Sequence, residues 1–125
     1  MLDAAPAERQ TATMMIYKIF RAPEWEAFDA AGETAGAPVD IADGYIHFST
    51  AQTARETAAK WFAGEADLIL LACDPAGMAD DLKWEPSRGG ALFPHLYRPL
   101  KRSDVVQMMP LPCGPDGHVF PAEIL

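Results

Sequence analysis

Hydrophobic and polar positions along the chain alternate in a way that predicts short strands separated by helices. Residues 15–20 and 67–73 are rich in aliphatic side chains and are predicted to be strands. The second run is continuously apolar, which is typical of a strand buried on both faces, and the first is predicted to lie centrally in its sheet. Between them, Pro23 and Gly32 predict the beginning and the end of a helix. Residues 33–43 have no such pattern and are predicted to form a loop, either a lid or an inert connection.

The segment 44–50 (GYIHFST) predicts a strand that leads into a second helix. Because side chains alternate along a strand, the apolar residues share one face, and the polar residues, which include His47 and Ser49, share the other. Thr50, or Ser49 before it, is predicted to cap a helix that runs to about Phe62. The free N–H groups of a helix N-terminus attract anions, so this position is a candidate functional site. The alternative is an ordinary cap beside a structural histidine.

The second half of the chain predicts short strands and turns. Residues 82–86 and 105–111 have the composition of strands, and the glycines within 87–90 indicate a tight turn. Residues 91–100 are aromatic and bracketed by prolines, which predicts an irregular or edge segment. Two early helices followed by several short strands predict an α+β fold with a small mixed or antiparallel sheet.

Length and composition indicate one domain. Residues 1–13 are small and polar and are predicted to be a disordered or loosely attached tail, and residues 14–125 a single α+β domain. Cys73 and Cys113 lack metal-type spacing and are predicted to be free thiols in a reducing cytoplasm. The sequence has no apolar signal core and no run near the roughly 20 apolar residues of a membrane span, so we expect a cytoplasmic protein.

The charge balance limits the partners of the protein. The sequence has 10 basic and 18 acidic residues and a formal net charge of -8. Non-specific nucleic-acid binding and binding to anionic membranes both need a basic face, so we expect neither. A small anionic ligand held by a few local positive groups is compatible with this charge.

A second group of polar residues lies further along the chain. Glu85 and Trp84 point to opposite faces of the predicted strand, so one of them points inward. At the edge of an apolar pocket the pKa of Glu85 would be raised, which suits a general acid or base. The alternative is a solvated carboxylate on an edge strand. Arg88 beside two glycines suits an anion-binding turn, and His95 and Tyr97 share one face of an extended segment. The three histidines of the sequence have no metal-ligand spacing, so no metal site is expected.

Four motifs together resemble one family. They are 16–19 (IYKI), 44–50 (GYIHFST), 84–86 (WEP) and 92–100 (LFPHLYRPL). They resemble the Domain of Unknown Function 952 family of small bacterial proteins, which is grouped with the ADP-ribosyltransferase-like fold, and no activity is established for that family. The resemblance implies this fold, and it implies NAD as a candidate cofactor.

The resemblance also implies roles for particular residues. In the ADP-ribosyltransferase superfamily the first strand often carries a histidine or arginine that holds the NAD ribose, and the matching place here is Tyr17-Lys18. A lysine binds a phosphate or a hydroxyl but cannot reproduce the two-sided hydrogen bonding of a neutral imidazole. Glu85 is the counterpart that the resemblance implies for the catalytic glutamate of the superfamily.

The leading hypothesis is an enzyme, or the relic of one, that acts on a ribose- or phosphate-bearing nucleotide and transfers ADP-ribosyl or 2′-phosphate groups. The expected catalytic residues are Glu85, His47 and His95, and the expected ligand-binding residues are Tyr17, Lys18, Ser49, Thr50, Trp84, Arg88 and Tyr97. Two other hypotheses stay open. One is a non-catalytic module that binds a small metabolite, and the other is a protein-contact surface formed by residues 92–100.

Overall fold

The computed structural model of the protein describes residues 15–122. The predicted tail, residues 1–13, lies outside the described residues. Within them, the helices are α1 (Ala22–Ala31), α2 (Pro38–Asp43) and α3 (Ala54–Trp61). The strands are β1 (Ile16–Arg21), β2 (Glu33–Thr34), β3 (Ile46–His47), β4 (Leu68–Cys73), β5 (Leu82–Pro86), β6 (Leu92–Leu96), β7 (Leu100–Lys101), β8 (Val105–Leu111), β9 (Cys113–Gly114) and β10 (Gly117–His118).

Two three-stranded antiparallel sheets form the framework. Strand β4 lies between β1 and β8 in the first sheet, and β6 lies between β3 and β5 in the second. Two shorter antiparallel pairs, β2 with β7 and β9 with β10, complete the described sheet structure. The predicted α+β class with a small antiparallel arrangement is therefore confirmed.

Strand β1 joins the two sheets. It lies at an edge of the first sheet, which corrects the expectation of a central position. Its outer edge is nevertheless covered, because the N–H of Tyr17 donates to the carbonyl of Ser49 and the N–H of Ser49 donates to the carbonyl of Tyr17, both at 2.8 Å. The first five residues of β1 are buried as a result.

The core lies on both faces of the first sheet. The cluster shared with the second sheet and α1 includes Phe20, Phe28, Ile46, Leu71 and Leu96. The cluster beneath α3 includes Ala54, Ala58, Leu68, Leu70 and Leu111. Neighbouring leucines of β4 thus enter different clusters, which explains why this strand is continuously apolar.

The segment 91–100 differs from its sequence prediction, because β6 is a middle strand rather than an irregular or edge segment. Pro94 lies opposite Phe48, which follows the last residue of β3, and the carbonyl of Pro94 accepts the N–H of Phe48 at 3.0 Å. Because β3 has already ended at this point, the N–H that proline lacks removes no hydrogen bond between β3 and β6. Half of the segment, residues 93–96 and Leu100, is buried, and this half cannot form a protein-contact surface.

Two segments before α3 also differ from prediction. Residues 33–43 contain β2 and the helix α2 rather than a loop. Helix α3 begins at Ala54, because Thr50 and Thr53 form a turn in which the N–H of Thr53 donates to Oγ1 of Thr50 at 3.2 Å. Neither Ser49 nor Thr50 therefore caps this helix, and the predicted anion site at its N-terminus is not formed by these residues.

Both cysteines are free thiols as predicted, Cys73 buried and Cys113 half-buried. None of the helices within residues 15–122 is long and apolar enough to cross a membrane.

Candidate functional site

One face of the second sheet forms the floor of a cleft. Strands β3 and β6 pair with His47 directly opposite His95, and directly opposite residues share a face of a sheet. The two imidazole ring centroids lie 5.3 Å apart. The other face carries Ile46 and Leu96 into the core. Strand alternation therefore places two histidines side by side on the polar face.

Asp40 of α2 lies buried beside His47 and holds several groups together. Its Oδ1 accepts the backbone N–H of His47 at 3.0 Å and lies 2.6 Å from the ring Nδ1. Its Oδ2 lies 2.7 Å from Nζ of Lys18, and it accepts the N–H of Ala37 at 2.7 Å. The Lys18 ammonium also donates to the carbonyl of His47 at 3.0 Å. This network fixes α2 against β1 and β3.

Burial and charge act in opposite directions on this network. Burial alone would raise the pKa of Asp40, but the hydrogen bonds from His47 and the charge of Lys18 outweigh it and hold the pKa at about 2. Burial lowers the pKa of Lys18, and the Asp40 carboxylate opposes that effect. The Lys18 ammonium is therefore committed to groups of the protein, which corrects its predicted role in holding a phosphate or ribose.

The second ring nitrogen of His47 faces another carboxylate. Its Nε2 lies 3.0 Å from Oδ2 of Asp43, and 31% of the His47 side chain is exposed. An imidazole donates from both nitrogens only when it is protonated. Both nitrogens of His47 are thus occupied by carboxylates within the protein.

His95 is more deeply buried, with 5% of its side chain exposed. Its Nδ1 lies 2.8 Å from Oε1 of Glu85, and the hydroxyl of Tyr97 donates to the same oxygen at 2.8 Å. The hydrogen bonds from His95 and Tyr97 lower the pKa of Glu85, which corrects the predicted raised value. The bond to Glu85 in turn raises the pKa of Tyr97 to about 12. Glu85 is therefore an ionised acceptor at neutral pH.

Tyr45 packs against both imidazoles. Its ring centroid lies 4.7 Å from that of His47, 4.4 Å from that of His95 and 5.1 Å from that of Tyr97. Aromatic contacts at these distances restrict ring rotation. Tyr45 thus helps to fix the orientation of the two histidines.

The cleft above this floor has a volume of about 580 Å³. Its walls include Pro38 and Val39 of α2, Trp61 and Phe62 at the end of α3, and Phe93 of β6. Hydroxyl groups in the lining belong to Ser49, Thr57 and Ser87. A concave, largely apolar lining with a few polar groups is typical of a small-molecule site.

Arg21 is a cation at the rim of the cleft. Its Nε and Nη2 lie 2.8 and 3.0 Å from the two carboxylate oxygens of Glu65, and its guanidinium carbon lies 4.9 Å from the ring centroid of Phe62. The hydrogen bond to Glu65 raises the pKa of Arg21. A ligand therefore meets a guanidinium whose charge is already balanced by a carboxylate.

The structure brings together some of the predicted site residues and separates others. Lys18, His47, Ser49 and His95 line the cleft. Glu85 contacts His95 and Tyr97 contacts Glu85 and Tyr45, and neither Glu85 nor Tyr97 lines the cleft. Tyr17, Thr50 and Trp84 do not reach this cleft. Arg88 begins the short 3-10 segment Arg88–Gly90, next to Ser87 of the cleft lining.

The three separated residues have identifiable locations. Tyr17 points to the core beneath α3, on the opposite face of β1 from Lys18, and burial raises its pKa. Thr50 and Trp84 line a separate groove of about 530 Å³. Trp84 lies on the other face of β5 from Glu85 because the two residues alternate along that strand.

Sequence reasoning did not identify Asp40, Asp43, Arg21 or Trp61 as site residues. Pro38 followed by Asp40 is a helix-start signal that could have located α2. Helical spacing from Ala54 and Ala58 places Trp61 on the apolar stripe of α3, yet 61% of it is exposed at the cleft. Among residues 15–122, no group of three or more His, Cys, Asp or Glu side chains is arranged to hold a metal ion.

These features define an α+β protein with an aromatic-walled cleft above two carboxylate-bound imidazoles. Comparison with protein-family models matches residues 19–108 to a family described as a protein of unknown function, DUF952. The chain belongs to the DUF952 family, as its motifs predicted.

Solved structures of a relative share this fold. The crystal structure of protein CC0527 from Caulobacter crescentus is 53% identical, with a TM-score of 0.80, and the match covers 83% of this chain and 91% of that chain. The solution NMR structure of CC0527 has a TM-score of 0.75 at 53% identity, covering 83% of this chain and 90% of that chain. Comparison with curated proteins finds no match.

Proposed function

We propose that the cleft binds an NAD-like ribonucleotide and that the protein acts on its ribose as a transferase of ADP-ribosyl or 2′-phosphate groups. The observation that carries this proposal is the pair of imidazoles, 5.3 Å apart at the floor of the cleft, each with Nδ1 against a carboxylate. An imidazole that a carboxylate orients in this way suits proton transfer at a hydroxyl group. An inert core would have no need for such an arrangement beside a cleft.

The lining of the cleft favours particular parts of the nucleotide. Trp61 and Phe62 offer aromatic surface on which a nicotinamide or a base stacks. The hydroxyl group of Ser87, together with the histidines, faces the polar part of a ribose, whereas the Ser49 hydroxyl is already hydrogen-bonded to that of Thr57 at 2.7 Å. Because Lys18 and Arg21 are each paired with a carboxylate, recognition of the ribose contributes more than attraction of the phosphates.

The two antiparallel sheets that meet at Tyr17 and Ser49, with a cleft beside their junction, support the ADP-ribosyltransferase-like fold as part of this proposal. Transfer from NAD passes through an oxocarbenium-like centre that a carboxylate stabilises. Glu85 does not line the cleft, so in this protein it does not contact that centre. It acts on the ligand through His95, whose Nδ1 it binds.

A non-catalytic module that binds a small metabolite is the second candidate. The buried Lys18–Asp40 ion pair favours it, because a first-strand lysine held in this way cannot hold the ribose as the superfamily histidine or arginine does. This candidate predicts that a nucleotide is retained without turnover.

Calorimetric titration with NAD, ADP-ribose and nucleoside 2′-phosphates tests the binding proposal. We expect heat of binding for at least one of them, and no heat at millimolar concentration would overturn the proposal. Mass spectrometry of the bound ligand after incubation then separates the two candidates, since a transferase releases a product and a binding module does not.

A further inference from the structure

The two imidazoles at the floor of the cleft differ in how many of their ring nitrogens have a hydrogen-bond partner. Both nitrogens of His47 face carboxylates, Nδ1 at 2.6 Å from Asp40 and Nε2 at 3.0 Å from Asp43. His95 has one such contact, from Nδ1 to Glu85 at 2.8 Å. Among the side chains described within residues 15–122, which do not include that of Arg88, Nε2 of His95 has no hydrogen-bond partner. The unused nitrogen therefore belongs to His95.

The burial of His95 makes this difference informative. Its side chain is 5% exposed, against 31% for His47, and it lines the cleft. Buried polar atoms in proteins are almost always paired, because an unpaired one loses its hydration without compensation. A hydrogen-bond donor bound in the cleft would satisfy this nitrogen.

The surroundings of His95 select one tautomer. An ionised carboxylate accepts hydrogen bonds and donates none, so Glu85 binds the protonated form of Nδ1. Neutral His95 then carries its proton on Nδ1 and a lone pair on Nε2. The Tyr45 ring, 4.4 Å away, and the Tyr97 hydroxyl, which donates to the same oxygen of Glu85, keep this geometry in place.

We propose that Nε2 of His95 is the proton acceptor for a hydroxyl group bound in the cleft and that Glu85 is its positioning residue. The proposal rests on the proposed function. The hydroxyl group that His95 accepts from belongs to a ribose or to a water molecule. In the step, Nε2 takes the proton of the O–H group while the oxygen keeps the bonding electron pair. The resulting imidazolium of His95 is stabilised by the carboxylate of Glu85, and the proton later passes to solvent.

This geometry separates His95 from His47 in function. Both ring nitrogens of His47 lie against carboxylates, those of Asp40 and Asp43, so neither nitrogen is open to a hydroxyl group in the cleft. An arrangement of carboxylate, imidazole and hydroxyl in this order is the general-base arrangement that orients and activates a nucleophile. The hydroxyl here comes from the ligand or from water rather than from a side chain.

Long-range proton–nitrogen correlation NMR tests the proposal, because it distinguishes protonated from unprotonated ring nitrogens. At neutral pH we expect His95 to have a protonated Nδ1 and an unprotonated Nε2. In Glu85→Gln the amide can accept from or donate to Nδ1, so we expect a mixture of tautomers. Glu26→Gln, which changes an exposed glutamate of α1, is the matched control and should match the wild type.

The proposal is overturned if His95 of the wild type carries protons on both nitrogens or on Nε2 alone, or if Glu85→Gln keeps the single tautomer. Titration with ADP-ribose separates this proposal from the proposed function. We expect the Nε2 signal of His95 and the indole signal of Trp61 to shift together. A shift of Trp61 without His95 overturns the proton acceptor and leaves nucleotide binding standing, and no shift of either signal with ADP-ribose, NAD or a nucleoside 2′-phosphate overturns both.

Discussion

Lys18 and Asp40 form an ion pair inside the protein, with Nζ 2.7 Å from Oδ2 and with 7% and 0% of the two side chains exposed. The pair connects β1 to α2, and the second oxygen of Asp40 binds both the backbone and the ring of His47. One carboxylate therefore fixes a wall of the cleft and one of its two histidines. The stability of the fold and the geometry of the site depend on the same residue.

Removal of the Asp40 carboxylate should be strongly destabilising. In Asp40→Ala the Lys18 ammonium stays buried without its counter-ion, which we expect to lower the free energy of unfolding by about 3–5 kcal/mol. Urea denaturation measures this change. The control is Asp29→Ala, which removes an exposed ion pair with Arg102 and should cost less than about 1 kcal/mol. Equal losses in the two variants would contradict a structural role for the buried pair.

The low pKa of Asp40 predicts acid sensitivity. Its pKa is about 2 in the folded protein against an ordinary value of 3.8, so the native state binds fewer protons than the unfolded state between these values. The stabilisation is complete above about pH 4 and is lost as the pH falls towards 2, with a magnitude of roughly 2 kcal/mol.

Asp40→Asn isolates this contribution. Glu65, Glu85 and Asp104 also have lowered pKa values and reduce stability in acid, so the wild type and the variant should both lose stability. The loss between pH 4 and pH 2 should be smaller in Asp40→Asn, as followed by thermal unfolding at each pH. Parallel curves for the two proteins would show that Asp40 does not contribute.

Gly36 leaves the space that the Asp40 side chain occupies. A Cβ added at Gly36 would overlap the side chain of Asp40, and the φ angle of Gly36 is 105°. Gly44 has a φ angle of 86° but no neighbour within 4 Å of an added Cβ. Both alanine variants incur backbone strain, but only Gly36→Ala also displaces Asp40.

We expect Gly36→Ala to lose at least about 2 kcal/mol more stability than Gly44→Ala, because displacing Asp40 removes part of the stabilisation of Lys18. Urea denaturation of the two variants measures the difference. A loss in Gly36→Ala no larger than that in Gly44→Ala would mean that Asp40 can be moved at little cost.

The ionisation of Tyr97 reports its contact with Glu85. The hydrogen bond to Glu85 raises the pKa of Tyr97 to about 12, because ionisation would place two negative charges side by side. In Glu85→Gln we expect this pKa to fall towards the usual value near 10. NMR of the tyrosine ring carbons during an alkaline titration follows each tyrosine separately. An unchanged Tyr97 would mean that the hydroxyl does not bind Glu85 in solution.

Local periodicity predicted one part of the site correctly. Alternation along the chain gave the shared face of His47 and Ser49, and separately that of His95 and Tyr97. The meeting of the two groups depends on the pairing of β3 with β6, which no local pattern encodes. The prolines around His95 even indicated an edge segment, because the sequence does not show that Pro94 pairs with Phe48, just beyond the end of the two-residue strand β3.

The role of Lys18 could not be predicted for a similar reason. Its partner Asp40 lies in a six-residue helix, which is too short to produce a recognisable apolar period. Without that partner, a lysine on a first strand looks available to a phosphate. Helical spacing alone would also bury Trp61, but this residue ends α3, where a side chain on the apolar stripe extends past the core to the cleft.

Nuclear Overhauser effects from bound ADP-ribose to the indole rings test the central claim most directly, since Trp61 lines the cleft and Trp84 lines the separate groove. The proposed site predicts contacts from the ligand to Trp61 and to the ring of His95, and none to Trp84. It also predicts that Trp61→Ala weakens binding while Trp84→Ala does not. Contacts to Trp84 alone, or binding that survives in Trp61→Ala at full strength, would contradict the assignment of this cleft as the ligand site.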